Sequence, residues 1–237
     1  MIKAIFFDFY NTLVYFFPTV EDIQLCACKE LGLTVTKEGL IKGYNTADSF
    51  FNIENSRMPI SDRSERERKE FFAVYEKMIL EGAGITVSLT LATQVWELTT
   101  LIPRRFRLFG DVKSTLKDLK KLGLTLGIIT NLNQDMDVLL NELDLQTIID
   151  VTVTSSEVGV EKPHPSIFLR ALDKVGITPQ EAIHVGDQLF SDAQGAKAVG
   201  IKPVLIVRDL LVSRDLLVSR EDDVKTIKTM GELLDIT

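Results

Sequence analysis

The chain has 237 residues, a length that suits one domain or one domain that carries an inserted subdomain. Its 27 basic and 34 acidic residues give a formal net charge of −7, which argues against a nucleic-acid partner. Hydrophobic residues make up 45%, which excludes a disordered chain, and two cysteines are too few for a disulfide framework. No apolar run reaches the roughly 18 residues of a membrane span, and the apolar start is too short for a signal peptide. We therefore expect a cytoplasmic protein without a membrane partner.

The first half of the chain combines one strand with several helices. Residues 2–7 form an apolar run that ends at an acidic residue, which is typical of a buried strand. The sequence Thr-Val-Glu-Asp at 19–22 resembles a capping box at the start of a first helix. Further helical patterns occur at about 37–50, 63–81 and 90–101.

From Gly110 onward the pattern alternates between helices and strands. We predict helices at about 111–121, 134–143, 165–175 and 191–199, and strands at 125–130, 151–154, 182–186 and 203–207. This alternation indicates a parallel sheet with right-handed crossovers. The predicted fold class is α/β, a Rossmann-like parallel sheet with helices on both faces, plus an inserted all-helical cap. The predicted domains are an α/β core formed by 1–16 and 105–237, and a cap formed by 17–104.

A six-residue sequence, Arg-Asp-Leu-Leu-Val-Ser, occurs twice in tandem at 208–219. Two short copies are too few for a solenoid. We interpret them as a neutral duplication that lengthens a surface loop. A partner-binding flap is the alternative, because Leu-Leu-Val is apolar for an exposed loop. The sequence does not indicate an oligomeric state.

Polar side chains collect where the predicted strands end. Ligands of open α/β sheets bind beyond the carboxyl ends of the strands, so we expect these side chains at one edge of the sheet. The residues are Asp8, Thr130, Asn131, Lys162, Asp187 and Asp192.

This set of residue types predicts phosphoryl chemistry. Asp8 and Asp187 would repel each other unless a cation lies between them, and hard oxygen ligands suit Mg2+. A threonine hydroxyl, backbone N–H groups and a lysine ammonium can bind phosphoryl oxygens. A carboxylate can also act as the nucleophile, which gives an aspartyl-phosphate.

Four motifs in chain order resemble those of the haloacid dehalogenase-like hydrolase superfamily, and the resemblance covers essentially the whole core. They lie at residues 8–13 (Asp-Phe-Tyr-Asn-Thr-Leu), 128–131 (Ile-Ile-Thr-Asn), 161–165 (Glu-Lys-Pro-His-Pro) and 185–195 (Val-Gly-Asp through Asp-Ala-Gln-Gly). The helical insertion is similar to the caps of the first cap class of this superfamily. Such caps close over small substrates.

The resemblance implies a magnesium site. Asp8 would be both the nucleophile and a magnesium ligand, and the backbone carbonyl of Tyr10 would be a further ligand. Asp187 would bind the ion directly, and Asp192 would bind it directly or through water.

The resemblance also implies a phosphoryl site with one departure. Thr130, with the backbone of Asn131, would hold the phosphoryl group, and Lys162 would neutralise its charge. Tyr10 stands where most phosphatases of the superfamily have a second aspartate that acts as general acid and base, whereas dehalogenases have a tyrosine there. Asp187 in turn is a residue that dehalogenases typically lack.

The leading hypothesis is a magnesium-dependent phosphatase of small phosphorylated metabolites that works through an aspartyl-phosphate. Tyr10 keeps two alternatives open: a metal-independent 2-haloacid dehalogenase, and a catalytically weak regulatory protein that binds phosphate. His184 lies inside a predicted strand, and we interpret it as a packed core histidine.

Overall fold

The computed structural model describes residues 1–208 and 224–236. The chain divides into two compact units: unit one is Met1–Tyr15 with Phe106–Thr237, and unit two is Phe16–Arg105. Of the duplicated sequence only Arg208 is described, so the choice between a loop and a flap lies outside the described residues. Across the two described ranges we find no helix with the length and hydropathy that a bilayer crossing needs.

The strands of the described residues form one large and one small sheet. They are β1 (Ala4–Phe7), β2 (Val14–Phe17), β3 (Arg105–Leu108), β4 (Thr125–Thr130), β5 (Val151–Thr154), β6 (Ala182–Gly186), β7 (Lys202–Ile206) and β8 (Lys225–Ile227). The large sheet is parallel, with the order β5-β4-β1-β6-β7-β8, and β2 pairs with β3 in the small sheet. This arrangement confirms the predicted α/β parallel sheet.

The strand register determines where a ligand site forms in unit one. Phe7 of β1 pairs with Ile128 of β4 and with Val185 of β6, so the three strands end side by side. From β1 the chain proceeds through β4 to β5 in one direction and from β6 to β8 in the other, so the strand order reverses between β1 and β6. Open α/β sheets bind ligands at such a reversal, beyond the carboxyl ends of the strands.

Helices cover both faces of the large sheet. The α-helices of the described residues are α1 (Val20–Glu30), α2 (Lys37–Arg57), α3 (Glu65–Gly82), α4 (Leu89–Leu101), α5 (Val112–Lys121), α6 (Met136–Glu142), α7 (Ser155–Val158), α8 (Pro165–Val175) and α9 (Gly195–Ala198). Side chains alternate along a strand, so Ile5 and Phe7 pack with α5 and α6, whereas Ala4 and Phe6 pack with α8 and α9. The predicted two-sided cover of helices is confirmed.

Unit two contains the helices α1 to α4. Each begins at a hydroxyl side chain that accepts a hydrogen bond from the first turn, and these caps are Thr19, Thr36, Ser64 and Ser88. Helix α2 continues to Arg57 rather than ending near residue 50 as predicted. Helices α2 and α3 approach backbone to backbone, because a Cβ on Gly43 would lie 2.0 Å from the carbonyl oxygen of Ile79. Glycine is therefore required at that crossing.

A carboxyl group is buried inside unit two. Glu76 of α3 is 2% exposed, and its Oε1 accepts a hydrogen bond from Nε2 of Gln24, whose Oε1 accepts one from the hydroxyl of Tyr44 at 3.2 Å. Burial raises the pKa of Glu76 to about 8, although the hydrogen bond from Gln24 lowers it. Burial, with the nearby charge of Glu76, also raises the pKa of Cys28 to about 12. Both groups are therefore neutral at pH 7.

This burial predicts a pH dependence of stability that Glu76→Gln removes. The pKa of Glu76 is higher in the folded than in the unfolded state, so its contribution is greatest at low pH and declines as the pH rises from the unfolded value of about 4.5 to the folded value of about 8. We expect the free energy of unfolding of the wild type, relative to Glu76→Gln, to fall by about 2 kcal/mol between pH 6 and pH 8.

Urea unfolding followed by tryptophan fluorescence measures this difference, because Trp96, the single tryptophan, lies in α4 of unit two. Glu70→Gln is the matched control, since Glu70 belongs to the same helix and is exposed. A constant difference between wild type and Glu76→Gln across this range would contradict the assignment.

Candidate active site

The predicted polar residues meet at the carboxyl edge of the large sheet. Asp8 directly follows β1 and Asp187 directly follows β6. Carboxylate oxygens of Asp8, Asp187 and Asp192 lie within 4.8 Å of one another. Lys162 reaches the same place from the loop before α8, and its Nζ donates to Oδ1 of Asp8 at 2.5 Å. Thr130 is the last residue of the neighbouring strand β4.

The loop after β1 holds Asp8 in a tight turn. The backbone N–H of Asp8 donates to the carbonyl of Val185 at 2.8 Å, so the first residue beyond β1 is still tied to β6. Asn11 has a φ of 61°, a left-handed conformation that asparagine tolerates better than most residues. Tyr10 is half-buried, and the centroid of its ring lies 6.3 Å from that of Phe106.

An arginine two residues beyond β7 supports the far side of this loop. Arg208 is 7% exposed, and its guanidinium donates to the carbonyl of Thr12 at 2.7 Å and to both carboxylate oxygens of Asp111 at 2.7 and 2.8 Å. It also lies 4.2 Å from the ring centroid of Phe109. Asp111 accepts the backbone N–H of Met230 as well. The first arginine of the duplicated sequence thus joins the loop after β1, the start of α5 and the C-terminal segment.

Lys162 is the only cationic side chain in contact with the acidic cluster among the described residues. It is 6% exposed, and its Nζ donates both to Asp8 and, at 2.7 Å, to Oδ1 of Asp192. Burial would lower the pKa of Lys162, but the charges of Asp192 and Asp8 outweigh it and raise the pKa above its ordinary value. The ammonium is therefore charged at neutral pH.

Asn131 holds the backbone from which Lys162 projects. Its Oδ1 accepts the N–H of Lys162 at 2.7 Å, and its Nδ2 donates to the carbonyl of Lys162 at 3.2 Å. The hydroxyl of Ser155 donates to the carbonyl of Asn131. The sequence predicted a role for the backbone of Asn131, but this use of its side chain was not predicted, since nothing in the spacing of 131 and 162 indicates a contact.

The three carboxylates have different protonation behaviour. Burial, with the charges of Asp8 and Asp192, raises the pKa of Asp187 to about 8. Burial raises the pKa of Asp8 to about 6, although Lys162 lowers it. Burial acts on Asp192 in the same direction, but Lys162 and His184 lower its pKa below the ordinary range. Lys162 contacts only two of the three carboxylates, and the excess negative charge is reflected most strongly in the raised pKa of Asp187.

The donor set fits a hard divalent cation. Oδ1 of Asp187 is buried, and among the described residues it has no hydrogen-bond partner. Buried carboxylate oxygens without a donor are costly, and a cation removes that cost. Oxygen-only ligands with excess negative charge are typical of a magnesium site.

The carboxylate of Asp192 fits in its place only because residue 186 is a glycine. It lies over Gly186, where an added Cβ would fall 2.2 Å from Cγ of Asp192. Residues Leu189–Gln194 form a π-helical segment before α9, rather than the start of the α-helix predicted for 191–199. The wider turn, in which the N–H of Ala193 donates to the carbonyl of Gln188, is a feature often found at functional sites.

His184 contacts Asp192, which the sequence did not predict. It is buried in the core as predicted, but its Nε2 also lies 3.0 Å from Oδ1 of Asp192. Alternation along β6 was the available signal, because His184 and Gly186 share a face of the sheet and Asp192 packs over Gly186.

A family model described as haloacid dehalogenase-like hydrolase matches residues 2–200, and the chain belongs to that family. Over its whole length the chain is 29% identical to a ribulose-1,5-bisphosphate 5-phosphatase from Halopiger xanaduensis, of which 99% is covered. Over 94 residues, 39% of each protein, it is 45% identical to a glyceraldehyde 3-phosphate phosphatase from Pyrococcus furiosus.

Coverage differs among the matches. The chain matches several curated relatives over less than half of their own length, at 41% to 44%. The solved structure of a HAD phosphatase from Thermococcus onnurineus superposes with a TM-score of 0.57 at 23% identity, and the match covers 99% of this chain and 97% of that one. This likeness shows that the fold is shared.

Proposed function

We propose that the protein is a magnesium-dependent phosphatase of small phosphorylated metabolites with Asp8 as the nucleophile. The observation that carries this proposal is a cluster of three carboxylates at the strand-order reversal, of which Asp8 and Asp192 are buried and bound to Lys162 while a buried oxygen of Asp187 has no hydrogen-bond partner among the described residues. Relatives named ribulose-1,5-bisphosphate 5-phosphatase and glyceraldehyde 3-phosphate phosphatase support the substrate class. The dehalogenase alternative is metal-independent, so an anionic haloacid would meet the carboxylates of Asp8 and Asp187 with no cation to offset the repulsion, and the cluster therefore disfavours it.

The reaction would proceed in two displacements at phosphorus. A carboxylate oxygen of Asp8 forms a bond to phosphorus as the bond to the leaving oxygen breaks, and that oxygen takes up a proton. Water then attacks the aspartyl-phosphate, gives up a proton, and releases inorganic phosphate while the carboxylate of Asp8 is restored.

The chain's own groups would bind and orient the phosphoryl group. The ammonium of Lys162, already 2.5 Å from Asp8, would neutralise charge that develops on the phosphoryl oxygens. The hydroxyl of Thr130, which accepts the N–H of Leu132, retains its own proton to donate, and the backbone of Asn131 would hold a second oxygen.

Magnesium would be held by Asp8, the carbonyl of Tyr10, and Asp187, and when bound it supplies positive charge that offsets both the carboxylates and the phosphate. Asp192 would reach it directly or through water. Its Oδ1 accepts from Lys162 and lies 3.0 Å from Nε2 of His184, whereas its Oδ2 accepts only from the N–H of Gln188, so Oδ2 is the oxygen with an acceptor position left.

We infer that unit two corresponds to the predicted cap at 17–104. Unit one then corresponds to the predicted hydrolase core at 1–16 and 105–237. Substrate choice would depend on cap side chains. The cytoplasmic location expected from the sequence stays a prediction.

Magnesium is expected to raise the melting temperature of the wild type, because an ion that binds only the folded state stabilises it. At a concentration 100 times Kd the gain is about 2.7 kcal/mol, which corresponds to roughly 5–10 °C. Asp187→Asn should abolish the shift and the magnesium-dependent release of phosphate from p-nitrophenyl phosphate.

The control is Asp137→Asn, which removes an exposed carboxylate of α6 outside the cluster and should behave as the wild type. Shifts are compared within each variant, because loss of a repelling carboxylate can itself stabilise the protein. Equal release of phosphate with magnesium and with a chelator would contradict the metal assignment.

Tyr10 predicts a slow second step. A tyrosine hydroxyl has a pKa of about 10 and is a poor base at neutral pH, whereas general acid–base help is worth about 10²–10⁴-fold. We expect activated aryl and acyl phosphates to be preferred over alkyl phosphates, and a burst of the leaving group followed by slow release of phosphate. Tyr10→Asp should raise the slow rate at least about tenfold.

Tyr10→Phe is the matched control, because it keeps the ring and removes the hydroxyl. It should leave the slow step almost unchanged if the hydroxyl takes no proton from water. Rapid-quench measurement of both products gives the two rates. A wild type with steady, fast release from an alkyl phosphate and a collapse in Tyr10→Phe would show that the phenol itself is the acid–base group.

A further inference from the structure

We propose that His184 is a positioning residue whose Nε2–H holds the carboxylate of Asp192 in place, so that Asp192 and Lys162 together fix the nucleophile Asp8. The side chains of His184, Asp192 and Lys162 would thus connect the middle of a core strand to Asp8. The inference rests on the proposed function only in calling Asp8 the nucleophile.

The position of the imidazole is fixed by the fold. His184 is the central residue of β6, paired with Phe6 of β1 and with Pro203 of β7, and it is fully buried. The ring of Phe168 from α8 meets the imidazole edge-on, with centroids 5.2 Å apart and planes at 89°. The ring is therefore enclosed by the sheet and by α8, and the Nε2 edge faces Asp192.

The hydrogen bonds of Asp192 show what His184 contributes. Oδ1 accepts the ammonium of Lys162 at 2.7 Å and lies 3.0 Å from Nε2 of His184, and Oδ2 accepts the N–H of Gln188 at 3.1 Å. Asp192 is 1% exposed, so water does not provide a free substitute for a lost donor. Removal of the imidazole donor would leave a buried carboxylate oxygen with one partner, the lysine that also serves Asp8.

The surroundings of the other ring nitrogen specify the tautomer. Nδ1 of His184 is buried and has no hydrogen-bond partner among the described residues. A proton on Nδ1 would thus be a buried donor without an acceptor, whereas a proton on Nε2 points at a carboxylate. The neutral ring with Nε2–H is the form that satisfies both nitrogens best.

Packing of the core alone does not require a histidine at position 184. The rest of β6 consists of apolar residues and glycine, and the face that His184 shares with Phe6 and Phe168 is an apolar core. A buried imidazole costs free energy there unless its hydrogen bond compensates, and the only such bond in the described residues is to Asp192. Groups that orient a ligand in this way typically change affinity or activity about 10–100-fold when they are removed.

The test compares His184→Gln with His184→Met. The two side chains have nearly the same length and volume, and only glutamine carries a terminal N–H that can reach the position of Nε2–H. We expect His184→Met to lower kcat for p-nitrophenyl phosphate about 10–100-fold with little change in KM, and His184→Gln to recover most of it. Equal kcat values for the two variants, at matched melting temperatures, would overturn the proposal.

A second measurement needs neither activity nor a variant of His184. Long-range proton–nitrogen NMR of the magnesium-free wild type reports which ring nitrogen carries the proton. The chain has two histidines, so His164→Gln assigns the remaining signals to His184. A proton on Nε2 supports the proposal, and an Nε2 without a proton overturns it.

The two measurements separate failure of this inference from failure of the proposed function. A wild type that releases no phosphate, yet shows the Nε2–H tautomer, contradicts the phosphatase and leaves the His184–Asp192 contact standing. A wild type that is active while His184→Met matches His184→Gln contradicts the role of His184 and leaves the phosphatase standing.

Discussion

The ammonium of Lys162, shared between Asp8 and Asp192, is the interaction on which the arrangement of the site depends. Removing one ammonium and two carboxylates from water costs several kcal/mol for each ion, and only close pairing with good hydrogen bonds offsets that cost. Both contacts are short, and Asn131 fixes the backbone of Lys162 on the other side. Loss of the ammonium would leave three carboxylates within 4.8 Å of one another.

The charge balance of the cluster connects the fold with the proposed chemistry. One lysine cannot neutralise three carboxylates, and the raised pKa values of Asp187 and Asp8 express the excess. A proton and a divalent cation are alternative ways to relieve the same repulsion. In the proposed mechanism a cation would leave Asp8 ionised and able to attack phosphorus, whereas a proton on Asp8 would make it a poor nucleophile. In the proposed mechanism, the carboxylates whose mutual repulsion is costly without a metal would therefore be the ones that hold it.

Much of the fold could be predicted because its signals are local. The apolar runs that became β1, β4 and β6 and the helical periodicity of α5 and α8 follow from period and composition alone. The sheet-edge rule then indicated which polar residues would lie together. Strands β2, β3 and β8, of four, four and three residues, were not predicted.

What could not be predicted were the contacts that pair distant residues. The side chain of Asn131 clamps a backbone 31 positions away, and Arg208 binds the carbonyl of Thr12 from the far end of the chain. Neither contact has a sequence pattern, because both depend on which loops the sheet order brings together. The aspartates predicted that the cluster would carry negative charge. How that charge is distributed among Asp8, Asp187 and Asp192 depends on which of them touches Lys162, and this could not be predicted.

The most direct measurement of the central claim is chemical trapping of a phosphoryl group on Asp8. The protein is mixed with magnesium and acetyl phosphate, quenched, reduced with borohydride and digested, and the tryptic peptide 4–29 is sequenced by mass spectrometry. Reduction converts an aspartyl-phosphate to homoserine, and Asp22 in the same peptide serves as an internal control. We predict homoserine at position 8, aspartate at position 22, and no conversion without magnesium. Magnesium-dependent release of phosphate with Asp8 unmodified in the quenched protein, and with undiminished activity in Asp8→Asn, would contradict the account.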